Sequence, residues 1–540
     1  MRGKSGLVAV GCAALLALTA TSAVADPSSS DRHGRNGPLV VGRFSHLVVI
    51  YQENHSFDNL YGTWGSVNGQ HVEGLADAKQ VNTTQIAQND DAYGCLLQND
   101  VNLSSPDPLP STCKDTLHGV QASAFANSPF SIDDYIKPTD RTCPKEGDAT
   151  NVPKDSPNAV PGGCTRDLVH RFYQEQYQLN GGLQNRYVTG SDAVGLTMGT
   201  YDTKQLPIYK FLHGRNAPDY VIADHFFQAA FGGSFLNHQY LVAARAPIDT
   251  SGKTDHLGLH SIVDAQGFPN ATYPLYKVDP ATVKDAQLTQ ACPSAIERLA
   301  CGEYAVNTIQ PANTPTAGGV ILPAISDKDW PNIGDRLSGK GIDWNWYSGG
   351  WNDAAAGTPG KLFQFHHQPL NYWADYGPGK PGRTHLQDEE NFFAAAKKGK
   401  LPTVSFVKPY GESNEHPGYA SEPDGSDHLV KLIKAVLNSP QADDTLIVVT
   451  YDEFGGQWDH VAPPGQGGTT HGVSDKFGPG TRIPALLLSS AFRRSGVDHT
   501  VYDTTSILAT IEHGLRLDPL SSRDAQVADL SPAVRIGSRH

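Results

Sequence analysis

A chain of 540 residues, 39% hydrophobic and 18% charged, is globular in make-up and longer than one small core requires. Its formal net charge of −14, with no basic run to override it, argues against a nucleic-acid partner held through phosphate contacts. The 54 glycines and 37 prolines point to long ordered loops between the regular elements.

In chain order, residues 1–25 read as a signal peptide. Arg2 and Lys4 precede an apolar stretch from Leu7 to Ala20, and Ala23-Val24-Ala25 forms a small-residue cleavage site. The mature protein is therefore expected to be secreted. The apolar stretch is too short for a stable membrane span, and no later segment has the length and apolarity for one. Residues 26–40 (DPSSSDRHGRNGPLV) are polar and turn-rich and read as a flexible lead-in.

Short apolar runs follow at 46–51, 219–223, 342–347, 403–407, 445–450 and 484–489. Their hydrophobicity is continuous, which suits strands buried on both faces. Helical periodicity lies between them at 388–398, 426–438 and 503–515. In the second, Leu429, Leu432, Ile433, Val436 and Leu437 share one face and Ser426 is placed as the N-cap. Strands alternating with helices predict an α/β fold with a mainly parallel central sheet flanked by helices.

Cleavage of the leader removes Cys12 and leaves Cys95, Cys113, Cys143, Cys164, Cys292 and Cys301. An even number in an exported chain reads as disulfides, and no CxxC pair argues for a thiol metal site. Six cysteines allow 15 connectivities. The sequence-local one pairs Cys95 with Cys113, Cys143 with Cys164 and Cys292 with Cys301. These residues fall in two Asn-, Asp- and Pro-rich regions, about 65–165 and 250–335, which read as disulfide-stapled insertions forming a smaller cap.

The polar chemistry gathers at strand ends, where open parallel sheets bind ligands. The first run ends in Glu53-Asn54 (LVVIYQENHSFDNLYG) and the fifth in Asp452-Glu453 (TLIVVTYDEFGGQWDH). Either pair alone is equally well a helix cap or a solvated loop. Two such ends at one sheet edge favour a divalent cation held by hard oxygens. In AAFGGSFLNHQYLVAA, Gly232-Gly233 precede Ser234 at a predicted helix start, where free amides and the helix dipole suit a phosphate. Position alone makes Ser234 an N-cap before it makes it a nucleophile. Among the 21 histidines, His416 follows a predicted strand, His366-His367 form a pair, and His170 lies in DLVHRFYQEQ. His55 reads as structural. GxSxG, HExxH and the P-loop pattern are absent.

Four of these segments, in order, resemble the phospholipase C/acid phosphatase superfamily of bacterial phosphoesterases. They are QENHSFDNLYG, the Gly-Gly-Ser segment, FVKPYGESNEHPGY and VVTYDEFGGQWDHVAPP, within a span from about 45 to 515. The resemblance implies an alkaline-phosphatase-like fold and one catalytic domain at 41–535 with the two insertions. It further implies that Glu53, Asn54, Asp452 and Glu453 bind a metal, and that Ser234 is both metal-bound and the nucleophile. His170, His366, His367 and His416 would line the phosphate pocket. The ion would be calcium, magnesium, manganese or zinc. Gly-Gly-Ser in place of the phospholipase branch's Gly-Pro-Thr, and the paired histidines, lean toward the acid phosphatase branch. The expected activity is phosphomonoester hydrolysis through a phosphoserine, with protonated histidines favouring acidic pH. A phospholipase C acting on phosphatidylcholine-type diesters is the alternative. The expected partner is thus a small phosphate ester or a phospholipid head group, and the oligomeric state is left open.

Overall fold

The continuous apolar runs become the strands of one eight-stranded sheet. The computed structural model describes residues 38–97, 111–145, 159–191, 194–248 and 304–539. The expected signal peptide, the lead-in up to residue 37 and the Cys292–Cys301 pair lie outside the described residues. The strands are β1 (His46–Gln52), β2 (Tyr220–Ala223), β3 (Trp344–Ser348), β4 (Leu386–Asp388), β5 (Val404–Lys408), β6 (Thr445–Tyr451), β7 (Ala485–Leu488) and β8 (Gly496–Asp498). Their order across the sheet is β4-β3-β5-β1-β6-β7-β2-β8.

Every pairing is parallel except those of β7, which runs against both β6 and β2. All residues of β2, β5, β6 and β7 are buried, as are those of β1 after His46. This is the both-faces burial that unbroken Val/Ile/Leu runs call for. Apolarity does not encode direction, so the reversal of β7 was not visible in its sequence. The edge strands β4 and β8 are three residues each and too short for a periodic signal.

Six helices bear on the site or its support: α1 (Phe57–Tyr61), α2 (Phe172–Leu179), α3 (Ser234–Ala243), α4 (Glu389–Lys398), α5 (Glu422–Leu437) and α6 (Thr505–Leu515). Helices α4 and α5 pack on one another, α4 also against β3 and β5 and α5 against β6, while α3 packs on α6. Helix α5 begins four residues before the expected start. Ser421 is its N-cap and accepts from the Asp424 amide at 3.3 Å. Ser426, expected as the cap, is buried inside the helix and accepts from the Ile208 amide instead. Two of the local cysteine pairs are disulfides, Cys95–Cys113 and Cys143–Cys164, with Cα separations of 5.9 and 4.8 Å. Among the described residues no helix is long and apolar enough to cross a membrane.

A buried guanidinium ties together the loops that leave β1 and β6. Arg482 is fully buried; its Nη2 donates to Asp58 Oδ1 at 3.0 Å and its Nε to Asp459 Oδ1 at 3.1 Å. Nη1 donates to the backbone carbonyls of Glu73 and Asp224, and the guanidinium lies 4.3 Å over the Phe57 ring. The Asp58 amide in turn donates to Asp459 Oδ2, and the His460 amide to Asp58 Oδ2. Arg482→Met leaves two carboxylates buried without their cation, so it is expected to lose about 3–5 kcal/mol in urea unfolding. Wild-type stability in that variant would refute this role.

Candidate active site

The register of β1 on β6 places Gln52 opposite Tyr451, so Glu53 and Asp452 leave the sheet side by side. Asn54 then takes φ 45°, a left-handed conformation that asparagine tolerates better than most residues. Gly455 lies directly against this turn: a Cβ there would stand 2.2 Å from the Asn54 carbonyl oxygen. The glycine after Asp452-Glu453 therefore lets the two acidic loops touch.

The third loop delivers Ser234. Gly232 adopts φ +86°, where a Cβ would sit 2.5 Å from the Phe172 amide nitrogen. Its own amide donates to the Glu175 carboxylate at 2.5 Å. That carboxylate also accepts from the Thr481 amide, the Thr481 hydroxyl and the Gln228 side chain. Burial pushes the Glu175 carboxyl up to about 7, against the pull of these donors. Helix α3 begins at Ser234 with Gly233 as its N-cap, so the serine is the first helical residue and not the cap.

Ser234 Oγ lies 3.4 Å from Glu53 Oε2, 3.4 Å from Asn54 Oδ1 and 3.3 Å from Glu453 Oε1. A hydroxyl has one proton and cannot donate to three acceptors at once. Asp452 adds a further oxygen: Oδ1 accepts from the Glu453 amide, and Oδ2 is buried without a hydrogen bond. This is a cluster of hard oxygen donors with an orphaned buried carboxylate oxygen, and it fits a divalent cation. The electrostatics agree. Burial, and then the charge of Glu53, pushes the Asp452 carboxyl up to about 8. Burial and then Asp452 push Glu453 well above the usual range. These carboxylates resist ionising together unless positive charge is added.

All the expected histidines converge on this cluster. His416 Nδ1 donates to the Pro417 carbonyl at 2.6 Å, which leaves Nε2 to accept from Asn54 Nδ2 at 2.8 Å. That bond turns Asn54 Oδ1 toward the serine. His170 Nδ1 donates to the Leu168 carbonyl, and its Nε2 stands 3.5 Å from Glu453 Oε1. His367 Nε2 is 2.7 Å from Glu53 Oε1, close but not aligned as a hydrogen bond. His366 lines, with Ser234, His170, Arg171, His416 and Tyr419, a cavity of about 360 Å³. Burial pushes His366 well below the ordinary imidazole range, His367 down to about 4, and His416 down as well. Burial thus makes His366, His367 and His416 harder to protonate than free imidazoles, against the cationic histidines expected from the sequence.

Three supporting residues escaped the sequence reading. Lys408, fully buried at the end of β5, places Nζ 2.5 Å from Glu53 Oε1 and donates to the Gln52 carbonyl at 3.2 Å. Burial alone would raise the Glu53 carboxyl; His367 and Lys408 together hold it well below the usual range, with Lys408 as the cation. His238, one turn into α3, donates from Nδ1 to the Ser234 carbonyl at 2.7 Å and stacks on His367, with ring centroids 5.2 Å apart. Glu175 is the third. The strand-end logic that singled out Glu53 applies equally to Lys408 in FVKPYG. His55 does act structurally, bonding Asn59, Gln457 and the Glu415 carbonyl.

Residues 44–517 match the model of the Phosphoesterase family. The chain belongs to this family. Among the relatives it resembles is Phospholipase C B of Mycobacterium tuberculosis, 24% identical over 520 residues, covering 90% of this chain and 76% of the relative. Phospholipase C A of the same organism is 23% identical over 522 residues, covering 91% and 77%. Non-specific phospholipase C6 of Arabidopsis thaliana is 29% identical over a shorter stretch, covering 27% of this chain and 33% of the relative. Among solved structures, a protein in the alkaline phosphatase superfamily from Vibrio parahaemolyticus overlaps 60% of this chain and 62% of its own, at 11% identity and a TM-score of 0.28. This member of the Phosphoesterase family is a phosphoric ester hydrolase.

Lys408→Met removes the ammonium from the Glu53 carboxylate at constant bulk. Outer-shell changes of this kind cost about 10- to 100-fold in metal affinity or activity. Metal titration and kcat/KM should both fall by that factor, and a variant with wild-type values in both would leave Lys408 as a filler.

Proposed function

We propose that the protein is a secreted, metal-dependent phosphomonoesterase that works through a phosphoserine at Ser234. The observation that carries this reading is the serine oxygen set among Glu53, Asn54 and Glu453 at the mouth of the cavity. A divalent cation held by Glu53, Asn54, Asp452 and Glu453 would acidify the serine hydroxyl and neutralise phosphoryl charge. Ser234 Oγ then forms the bond to phosphorus as the bond to the alcohol oxygen breaks, and the alcohol departs with a proton. Water cleaves the phosphoserine, releasing phosphate and restoring the hydroxyl. His170, His366 and His416 line the cavity beside Ser234, and a ring that takes up a proton at its free nitrogen would donate to a phosphoryl oxygen. His367 acts one step removed, on Glu53. Export is supported by the leader-like first 25 residues and by the two disulfides, which persist in oxidising compartments.

The monoester preference is supported by the Gly-Gly-Ser segment and by a wall that includes Arg166, Arg171 and three histidines. A choline head group would call for an aromatic cage, and this wall offers the rings of Phe235 and Tyr419. The names of the mycobacterial and plant relatives favour the second reading, a phospholipase C.

Two chromogenic substrates separate the readings. p-Nitrophenyl phosphate is expected to turn over faster than p-nitrophenyl phosphorylcholine, and chelator should abolish both activities. The reverse preference would establish the phospholipase reading. Ser234→Ala should lose at least about 10³-fold in kcat while staying folded. Retention of full activity in that variant would rule out the serine as nucleophile.

A further inference from the structure

A second polar cavity, of about 400 Å³, opens elsewhere on the molecule and shares no described lining residue with the one at Ser234. Its wall includes Glu73, His225, His460 and His499. Three of these follow strands of the same direction: His225 comes after β2, His460 lies in the loop after β6, and His499 follows β8. They therefore gather at the carboxyl edge of the sheet, the edge that also carries Glu53 and Asp452, where parallel sheets place their ligands.

The imidazoles are oriented from behind by carboxylates. His225 Nδ1 lies 3.0 Å from Asp224 Oδ1, and His460 Nδ1 lies 2.6 Å from Asp58 Oδ2. His499 Nδ1 shares Asp224, at 2.9 Å. With each Nδ1 proton given to an aspartate, the Nε2 atoms of His225 and His460 are left facing a third carboxylate. His225 Nε2 is 3.2 Å from Glu73 Oε2, and His460 Nε2 is 3.7 Å from Glu73 Oε1. Glu73 is itself held at both backbone ends. Its amide donates to Asp224 Oδ2, and its carbonyl accepts from Arg482.

A neutral imidazole lone pair aimed at a carboxylate is repelled, so positive charge must lie between them. Two protons would supply it, one per ring, or a single divalent ion would. At His460 the separation of 3.7 Å is beyond hydrogen-bond reach, and Nε2 is buried without a partner in a side chain only 5% exposed; against burial, the neighbouring carboxylates push both imidazoles up to about 9 and so call for positive charge at both Nε2 atoms. Two atoms bound to one tetrahedral zinc at ordinary bond lengths stand roughly 3.3 Å apart, between the two separations seen here. A histidine whose far nitrogen is held by a carboxylate is also the usual arrangement around a bound metal. The guanidinium of Arg482 binds the carboxylates of Asp58 and Asp459 but only the backbone carbonyls of Glu73 and Asp224, so it leaves the latter two carboxylates to the histidines.

We propose that Glu73, His225 and His460 form a second metal site, for a borderline divalent ion of the zinc class, separate from the oxygen-rich cluster at Ser234. Two nitrogens and one carboxylate select zinc or cobalt over calcium or magnesium. Asp224 and Asp58 are positioning residues for the two rings. The ion would clamp the segment at Glu73 to the loops after β2 and β6, and its remaining coordination position would face the cavity.

The test uses cobalt(II), a visible-absorbing stand-in for zinc, on chelator-stripped full-length protein. Wild type, Glu73→Gln, His225→Gln and the double variant Asp452→Asn/Glu453→Gln are titrated, desalted and analysed for metal per chain. Both Glu73→Gln and His225→Gln should bind one equivalent less than wild type and lose a ligand-field band, while p-nitrophenyl phosphate hydrolysis is retained. The double variant should keep that band and lose the hydrolysis. Zinc should raise the melting temperature of wild type but not of Glu73→Gln. Equal metal content in wild type and in a folded Glu73→Gln or His225→Gln chain overturns the proposal and leaves two imidazolium–carboxylate pairs. If the double variant binds as much metal as wild type, the fault lies with the reading of the Ser234 cluster instead.

Discussion

One buried guanidinium decides whether the acidic loops can exist together. Asp58 follows Glu53-Asn54 by a few residues, and Asp459 follows Asp452-Glu453 in the same way; Arg482 binds both. Without it, the two carboxylate-rich loops at this sheet edge would repel at close range, and nothing in the apolar strands before them would hold them in register beyond the last backbone bond. With it, Ser56 to Asp58 and Trp458 to His460 interlock through side chains and amides. The cluster at Ser234 rests on this brace.

The second constraint is charge at the cluster itself. Glu53 is ionised because Lys408 and His367 stand on one of its oxygens. Asp452 and Glu453 have no equal partner, and burial pushes both carboxyls up. The protein thus spends folding stability to keep oxygens close together in a dry place, an arrangement that makes sense where a cation supplies the missing charge. The histidines fit the same logic. Imidazoles held below their ordinary range at His366, His367 and His416 add no charge beside the cation site.

Much of this was readable in the sequence, and what was not has identifiable causes. Unbroken apolar runs located six of the eight strands, because burial on both faces leaves a continuous signal. The polar residues at two of their ends marked the site, because backbone direction puts those ends at one edge. The direction of β7 was not readable, since Ala485–Leu488 would look the same running either way. The start of α5 was misplaced because Ser421 and Ser426 are both good caps, and only Pro423 in the first turn separates them. Lys408, His238 and Glu175 were missed because each acts through another residue: on Glu53, on the Ser234 carbonyl, on the Gly232 amide. Spacing along a chain shows what a residue can be, and only packing shows what it touches.

The reversed strand has a consequence of its own. Strand β6 ends at the carboxyl edge of the sheet, and because β7 runs the other way it begins at that same edge. The chain from 452 to 484 therefore leaves and returns without crossing the sheet, and Arg482 arrives three residues before β7 within reach of Asp459. A parallel β7 would have carried the chain to the far edge first and left the guanidinium there. The segment behaves as a closed loop pinned at both feet. Its outer part around 464–474 is held as well: a Cβ at Gly467 would stand 2.3 Å from the Gly181 carbonyl oxygen, so the whole loop keeps the feet, and with them the acidic cluster, in place.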